Sequence, residues 1–314
     1  MAEQHGSTDE VDAARALPRF YRQMYLIRRF EEMLLDMFSE GLLVGTTHTC
    51  IGQEANAVGV AAHLDPGRDV IVSNHRCHGH YIAFTDDAPG LLAEVMGRET
   101  GTCGGKGGSQ HLCRGNFYTN GVQGSIVPLA SGIALAERER AEGAVTTVFL
   151  GDGTLGQGTV YECLNMASLW SLPLLFVVEN NRYAQTTPTE LAVSGSIVDR
   201  ARAFGVDAHE LESADVDEVH EAAGRAVQRV RERGEPSFLV LHTHRFAPHS
   251  KGDDTRDPAD VERLRVHDPL AVAGARLDPA VREQIEADCE RELEAARAAG
   301  EAAPAAGAVA VAAR

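Results

Sequence analysis

Apolar side chains recur at three- and four-residue steps near the start of the chain: Leu17, Phe20, Tyr21, Met24, Ile27, Phe30, Leu34, Met37 and Phe38. That period predicts one amphipathic helix over residues 11–40. Gly41 supplies a C-terminal stop. Pro18 fits best in a first helical turn, so the helix proper is expected to begin near it. A second pattern starts at residue 129. Helical periodicity over 129–142, about 158–170 and about 216–233 alternates with the runs VTTVFL (145–150), LLFVVE (174–179) and FLVLHT (238–243). Short continuous apolar runs suit parallel strands covered on both faces. Strands alternating with helices predict an α/β fold with a doubly wound, mostly parallel sheet. Residues 244–268 read as a loop entering a short helix. Residues 280–299 read as an acidic helix with a thin apolar stripe (Val281, Ile285, Cys289, Leu293), and the end, AAPAAGAVAVAAR, is expected to fray.

Between these regions the pattern breaks. Short helices are predicted at about 53–63 and 89–99, and the stretch GTCGGKGGSQHLCRGNFYTNGVQGS (101–125) is rich in glycine. So much glycine implies backbone that turns tightly or approaches a ligand closely, or else a disordered linker. His111, Leu112, Phe117 and Tyr118 within it favour order. The organisation that follows is an N-terminal helical extension (1–40), a binding domain (41–270), and an acidic helix with a low-complexity tail (271–314).

Composition narrows the partners. The 314 residues are 44% hydrophobic, as in globular chains. There are 29 Lys and Arg against 46 Asp and Glu, a formal charge of −17. That argues against nucleic acid or an anionic membrane as the main partner. No apolar run is long enough for a transmembrane helix, and the polar, acidic start lacks the apolar segment of a secretory signal. Six cysteines (50, 77, 103, 113, 163 and 289) make no C-x-x-C pair, so neither a zinc ribbon nor a disulfide framework is expected. A reducing, cytoplasmic setting is the expectation.

Candidate chemistry lies at two strand ends, because open parallel sheets bind ligands beyond the C-terminal ends of their strands. Strand 145–150 runs into Gly151-Asp152-Gly153-Thr154, and strand 174–179 into Asn180-Asn181-Arg182-Tyr183. A carboxylate, a side-chain amide and a nearby main-chain carbonyl are hard oxygen ligands suited to Mg²⁺ or Ca²⁺. One carboxylate leaves such an ion with surplus positive charge, which suits an anion such as a pyrophosphate. Glycines at 151, 153, 156 and 158 open backbone N–H groups toward it at a helix start. GDG alone reads as a tight turn, and so does NN alone. Together, with Asp152 and Asn181 29 positions apart and a helix between them, they match the thiamine diphosphate motif. No P-loop is present, and glycines 104–108 lack the preceding strand that a dinucleotide fingerprint requires.

The match extends beyond that motif. HTCIGQEA (48–55), NHRCHGH (74–80), GKGGSQH (105–111), NFYTNGVQGSIVPLASGIALA (116–136), GDGTLGQG (151–158), ECLNMASLWSLPLLFVVENNRYA (162–184) and HRFAPHSKGDD (244–254) occur in that order. From about residue 17 to 270 the chain resembles the α subunits of thiamine-diphosphate-dependent 2-oxoacid dehydrogenases (E1α), including their pyruvate and acetoin branches. The resemblance implies a thiamine diphosphate-binding fold of the diphosphate-binding type over 41–270. It implies Asp152, Asn181 and the Tyr183 carbonyl as Mg²⁺ ligands. Gly153 and Thr154 would offer N–H groups to the diphosphate, and Arg76 a guanidinium fork. Arg245 and His249 fall on the family's active-site loop. Gly121 and Gln123 fall where the main chain approaches the aminopyrimidine. His48 and His78 match histidines lining the entrance near the reactive carbon, and with His249 they form the expected catalytic set. His5, His209 and His220 read as surface or structural, and Lys106 as structural.

The implied activity is decarboxylation of a small, pyruvate-like 2-oxoacid, or cleavage of acetoin, with transfer of the two-carbon acyl unit to a lipoyl E2. The family's activating glutamate lies on a separate β subunit, so an α₂β₂ heterotetramer is implied. Three positions depart from the family pattern: Gln123, Gln185 and APHS (247–250), where Pro248 is expected to stiffen the loop. The two amides motivate an alternative, an E1-like heteromeric acyltransferase or carboligase that passes the unit to a non-lipoyl acceptor such as a keto sugar. A cofactor-free scaffold is a third reading, opposed by the intact Asp152 and Asn181.

Overall fold

The computed structural model describes residues 8–43, 45–250 and 252–307. The described strands are β1 Val70–Ser73, β2 Cys113–Arg114, β3 Phe117–Thr119, β4 Thr146–Gly151, β5 Leu174–Asn180, β6 Tyr183–Ala184, β7 Thr187–Pro188, β8 Asp207–Glu212 and β9 Ser237–His242. Seven of them form one sheet in the order β2-β3-β1-β4-β5-β9-β8. Every neighbouring pair in it is parallel except the β2–β3 hairpin at one edge. The helices are α1 Thr8–Ser39, α2 Glu54–Ala61, α3 His78–Thr85, α4 Ala88–Val95, α5 Ile126–Arg140, α6 Gly158–Leu169, α7 Thr189–Ala192, α8 Ile197–Arg202, α9 Val216–Arg233, α10 Pro258–Arg263, α11 Pro269–Gly274 and α12 Pro279–Ala302.

The sheet is covered on both faces, which is why its central strands read as unbroken apolar runs. Along β5, Leu175 and Val177 face one core, built with α1, α2, α9 and α12. Leu174, Phe176 and Val178 face the other, built with α5, α6 and α8. α9 shows how local sequence sets its limits. Asp215 caps its first turn by accepting from the Asp217 N–H, Val216, Val219, Ala223, Val227 and Val230 bury one stripe, and Gly234 ends it at φ +65°. At the outer edge of the first core, α1 packs on α12 through Tyr21–Glu286 and Tyr25–Glu290 hydrogen bonds. No described helix is long and apolar enough to cross a membrane.

Several elements differ from the sequence pattern. α1 starts at Thr8, well before Pro18. Proline removes a single N–H donor, and the hydrogen bonds on either side carry the helix through it. β1 (VIVS) is too short for periodicity to reveal. β8 (DAHELE) is a polar edge strand in which Ala208 alone is fully buried. The chain end is docked rather than frayed as far as residue 307. The Glu99 N–H donates to the Pro304 carbonyl at 3.0 Å, and the Ala306 N–H to that of Gly97 at 2.8 Å. The rest of the tail lies outside the described residues.

The topology places the functional crevice. From β1 the chain passes to β3 on one side and afterwards to β4 on the other. That reversal leaves a gap at the C-terminal ends of β1 and β4, the usual ligand position in open α/β sheets.

Candidate active site

A cavity of about 480 Å³ opens at this reversal. Successive strands deliver its walls. Asn74, His75 and Arg76 follow β1, Gly121 and Gln123 follow β3, Gly151 to Thr154 lie at the end of β4, Asn181 to Gln185 follow β5, and His249 follows β9. His48 closes one side from the segment before α2. The structure thus brings together His48, Arg76, Gly121, Gln123, Asp152, Gly153, Thr154, Asn181, Tyr183 and His249, all named from sequence.

At one end lie the hard oxygens. Asp152 is 2% exposed, and its carboxylate accepts from the Thr189 hydroxyl. Burial pushes its pKa above the usual aspartate range, despite that bond and the charge of Arg245. Among the described residues Asp152 makes no ion pair, so a buried carboxylate stands without the cation that its burial calls for. The Asn181 side-chain oxygen Oδ1 accepts from the Tyr183 N–H at 3.2 Å, in a turn that Arg182 completes at φ +68°. Its amide donates to Gln53 Oε1 at 3.2 Å, while Gln53 Nε2 is buried with no partner. This donor set fits Mg²⁺. Gly153 must be glycine here, since a Cβ would stand 2.6 Å from that of Ala184.

Glu179 and Gln53, which the sequence reading did not single out, also line this end. Burial pushes the Glu179 carboxyl up, but His80 at 3.4 Å and the Asn56 amide, which donates to it at 3.3 Å, overcome that and hold the pKa below the usual range. A carboxylate inside an apolar strand (VVEN) was the available signal.

At the other end, three imidazoles gather. Ring centroids lie 4.4 Å apart for His48 and His75, 4.8 Å for His48 and His249, and 5.4 Å for His75 and His249. Burial first, then the Arg76 guanidinium, pushes their pKa values down, to about 3 for His48, about 2 for His75 and about 4 for His249. All three rings are therefore neutral at pH 7. His75 was missed because nothing in NHRCHGH distinguishes the residue that faces the crevice.

These shifts predict a pH dependence of stability. The unfolded histidines titrate near 6.5, and the folded ones lower. Between these values the unfolded chain binds more protons, so stability is intact above about pH 6.5 and is lost as pH falls toward 4. Thermal unfolding between pH 7 and 5 should show a falling midpoint, and a His48→Gln, His75→Gln double variant should show a shallower fall. Parallel curves for the two proteins would refute the assignment.

Two expected site residues lie elsewhere. His78 is fully buried and does not line the entrance. Its ring bridges Glu31 through Nδ1 at 2.9 Å and Ser109 Oγ through Nε2 at 2.9 Å. It opens α3, but its side chain turns toward α1 and away from the crevice. Arg245 is 1% exposed and lies behind the wall, donating to the carbonyls of Ala247 at 3.1 Å and Gln185 at 3.2 Å. Burial, then Arg76 and Arg256, lowers its pKa to about 9.

The glycine-rich stretch is ordered, for a reason internal to the chain. It wraps the buried carboxylate of Glu94, which accepts the N–H groups of Cys103 (2.6 Å), Gly105 (2.8 Å), Gly107 (2.6 Å) and Gly108 (3.1 Å). A Cβ at Gly105 would meet the Arg98 carbonyl at 2.5 Å, and one at Gly107 would collide with that of His111. Gly101, Gly105 and Gly107 therefore make room for neighbouring backbone, whereas Gly104, Gly108 and Gly115 turn the chain at positive φ. Gly121 is the one in this stretch that reaches the cavity.

Comparison with known proteins shows the family. Residues 22–306 match the family described as dehydrogenase E1 component. The pyruvate dehydrogenase E1 component subunit alpha of Zymomonas mobilis is 41% identical over 261 residues, which is 81% of this chain and 74% of that protein. The alpha subunits of acetoin:2,6-dichlorophenolindophenol oxidoreductase are similar too. That of Cupriavidus necator is 44% identical over 237 residues (74% of this chain, 71% of that protein). That of Bacillus subtilis is 42% identical over 258 residues (80% and 77%).

Proposed function

The chain belongs to the dehydrogenase E1 component family, and from that premise we propose that it is the α subunit of a thiamine-diphosphate-dependent enzyme that decarboxylates a pyruvate-like 2-oxoacid or cleaves acetoin. The observation that carries this reading is the convergence of Asp152, Asn181 and Arg76 on one crevice at the sheet's reversal point. Asp152, Asn181 and the Tyr183 carbonyl hold Mg²⁺. The N–H groups of Gly153 and Thr154, with Arg76, take the diphosphate. The main chain at Gly121 and Gln123 meets the aminopyrimidine. When bound, the cofactor supplies the electron sink that lets a bond beside a carbonyl break. His48 and His249 serve the reacting oxygen, while His78 and Arg245 brace the walls from behind.

A β subunit completes the site and supplies the activating carboxylate, in an α₂β₂ assembly. Val122, 64% exposed beside Gln123, and Leu129, 44% exposed on α5, put apolar surface near the cavity for such a partner. A lipoyl E2 accepts the acyl unit, and the setting is cytoplasmic. Gln123, whose buried Oε1 has no partner, keeps the keto-sugar acceptor as the second reading.

The test is a carbon balance. With the β partner, thiamine diphosphate, Mg²⁺ and pyruvate or acetoin, the acyl carbon is followed with and without a lipoyl domain. Rapid lipoyl acylation is expected. Turnover without lipoyl acylation would favour the carboligase, and full turnover by this chain alone would overturn the heteromeric reading.

A further inference from the structure

Gln110 follows the glycine-rich loop and lines the cavity. Its Nε2 lies 3.2 Å from His48 Nδ1 and 3.4 Å from the Thr46 carbonyl oxygen. A carbonyl can only accept, so the nitrogen end of the amide faces this way, and His48 Nδ1 meets an N–H. The oxygen end points at Gly121, where a Cβ would stand 2.5 Å from it. The missing side chain at Gly121 is what leaves the amide room. An imidazole nitrogen that accepts carries a lone pair, so the neutral ring holds its proton on Nε2. The second ring is set in the same way. Arg76 Nη2, which donates and never accepts, lies 3.4 Å from His249 Nδ1.

We propose that Gln110 is a positioning residue for the reaction: it fixes His48 as the Nε2–H tautomer, so that His48 and His249 together present two N–H donors to a substrate carbonyl oxygen instead of a base. The tautomer stands on the hydrogen bonds alone. The donor role rests on the functional reading above. Preorganised donors aimed at an oxygen that gains negative charge stabilise it without a proton having to leave the enzyme. The same tautomers argue against a metal triad: His48, His75 and His249 bring one ring nitrogen each within 4.8 Å of one another, but a proton on Nε2 leaves His48 and His249 only Nδ1 as a lone pair, and Gln110 and Arg76 already donate to it. The fixed charge of Arg76 beside them opposes a cation as well.

The full chain, labelled with ¹⁵N-histidine, tests the tautomer by long-range proton–nitrogen correlation at pH 7, with the His48 signals assigned by their loss in His48→Gln. Wild type is expected to show Nε2 protonated and Nδ1 bare. Gln110→Glu puts an acceptor where the donor stood and should reverse the pattern, or protonate the ring. Gln110→Met, similar in volume, should leave both tautomers populated. A wild-type Nδ1–H ring, or no change in Gln110→Glu, would overturn the proposal. In the assembled enzyme, Gln110→Glu should lower kcat by roughly 10²-fold, the lower end of what a positioned proton donor contributes, with KM little changed. A reversed tautomer with unchanged kcat would overturn the donor role. If instead wild type binds no thiamine diphosphate, the functional reading fails, and the nitrogen spectra still decide the tautomer.

Discussion

Asp152→Ala should abolish turnover in the assembled enzyme, by roughly 10³-fold or more, on the scale seen when an electrostatic anchor of an active site is removed. The reason is local. Asp152 is the one carboxylate among the three proposed metal ligands, so its loss removes the charge that holds Mg²⁺ and, through it, the diphosphate. Folding should survive. Burial raises this carboxyl's pKa. Above the unfolded value the charged group therefore opposes the folded state, and that cost disappears in the variant. Without ligand, the variant should melt at the same temperature as wild type or higher. With Mg²⁺ and thiamine diphosphate at about 100 times Kd, wild type should gain about 2.7 kcal/mol, and the variant nothing. Retention of a tenth of the activity, or an equal ligand-induced rise in melting temperature, would remove Asp152 from the site.

Glu94→Ala should have the largest effect on stability, about 3–5 kcal/mol, as when a buried charged partner is lost. Four backbone N–H groups, at Cys103, Gly105, Gly107 and Gly108, would lose their common acceptor in the interior. Their loop leads directly to Ser109 and Gln110, which brace His78 and His48. Activity should therefore fall along with stability. Denaturant unfolding measures the change, and Glu94→Gln, which keeps one accepting oxygen, should lie between. A loss below about 1 kcal/mol, the range of an ordinary single hydrogen bond, would mean that the loop finds other partners.

Much of the fold was legible because its strands carry local signals. VTTVFL, LLFVVE and FLVLHT are apolar on both faces, and the strands β4, β5 and β9 lie within a residue of those limits. GDG and NN were legible as a pair because strand–helix–strand connectivity makes them converge. β8 escaped because an edge strand needs only one buried face. His78 was misplaced because a motif gives a residue's position in the chain, whereas the direction of its side chain depends on which helix packs beside it. Here Glu31 of α1 takes the ring.

Periodicity and short motifs by themselves determined the α/β architecture, the two strand ends that carry Asp152 and Asn181, and the family resemblance. These depend on neighbours within a few residues, where spacing alone sets which groups share a face. Tertiary structure alone decided that the glycines wrap Glu94, that Gln53 reaches Asn181 and Glu179 enters the cavity wall, and that His75 joins His48 and His249. It also decided that Gln110 and Arg76 assign the protons on two of those rings. Each of these contacts joins residues far apart in sequence or depends on a rotamer set by packing. Hydrogen-bond partners and buried charge are settled only when such segments meet, and no local spacing encodes that meeting.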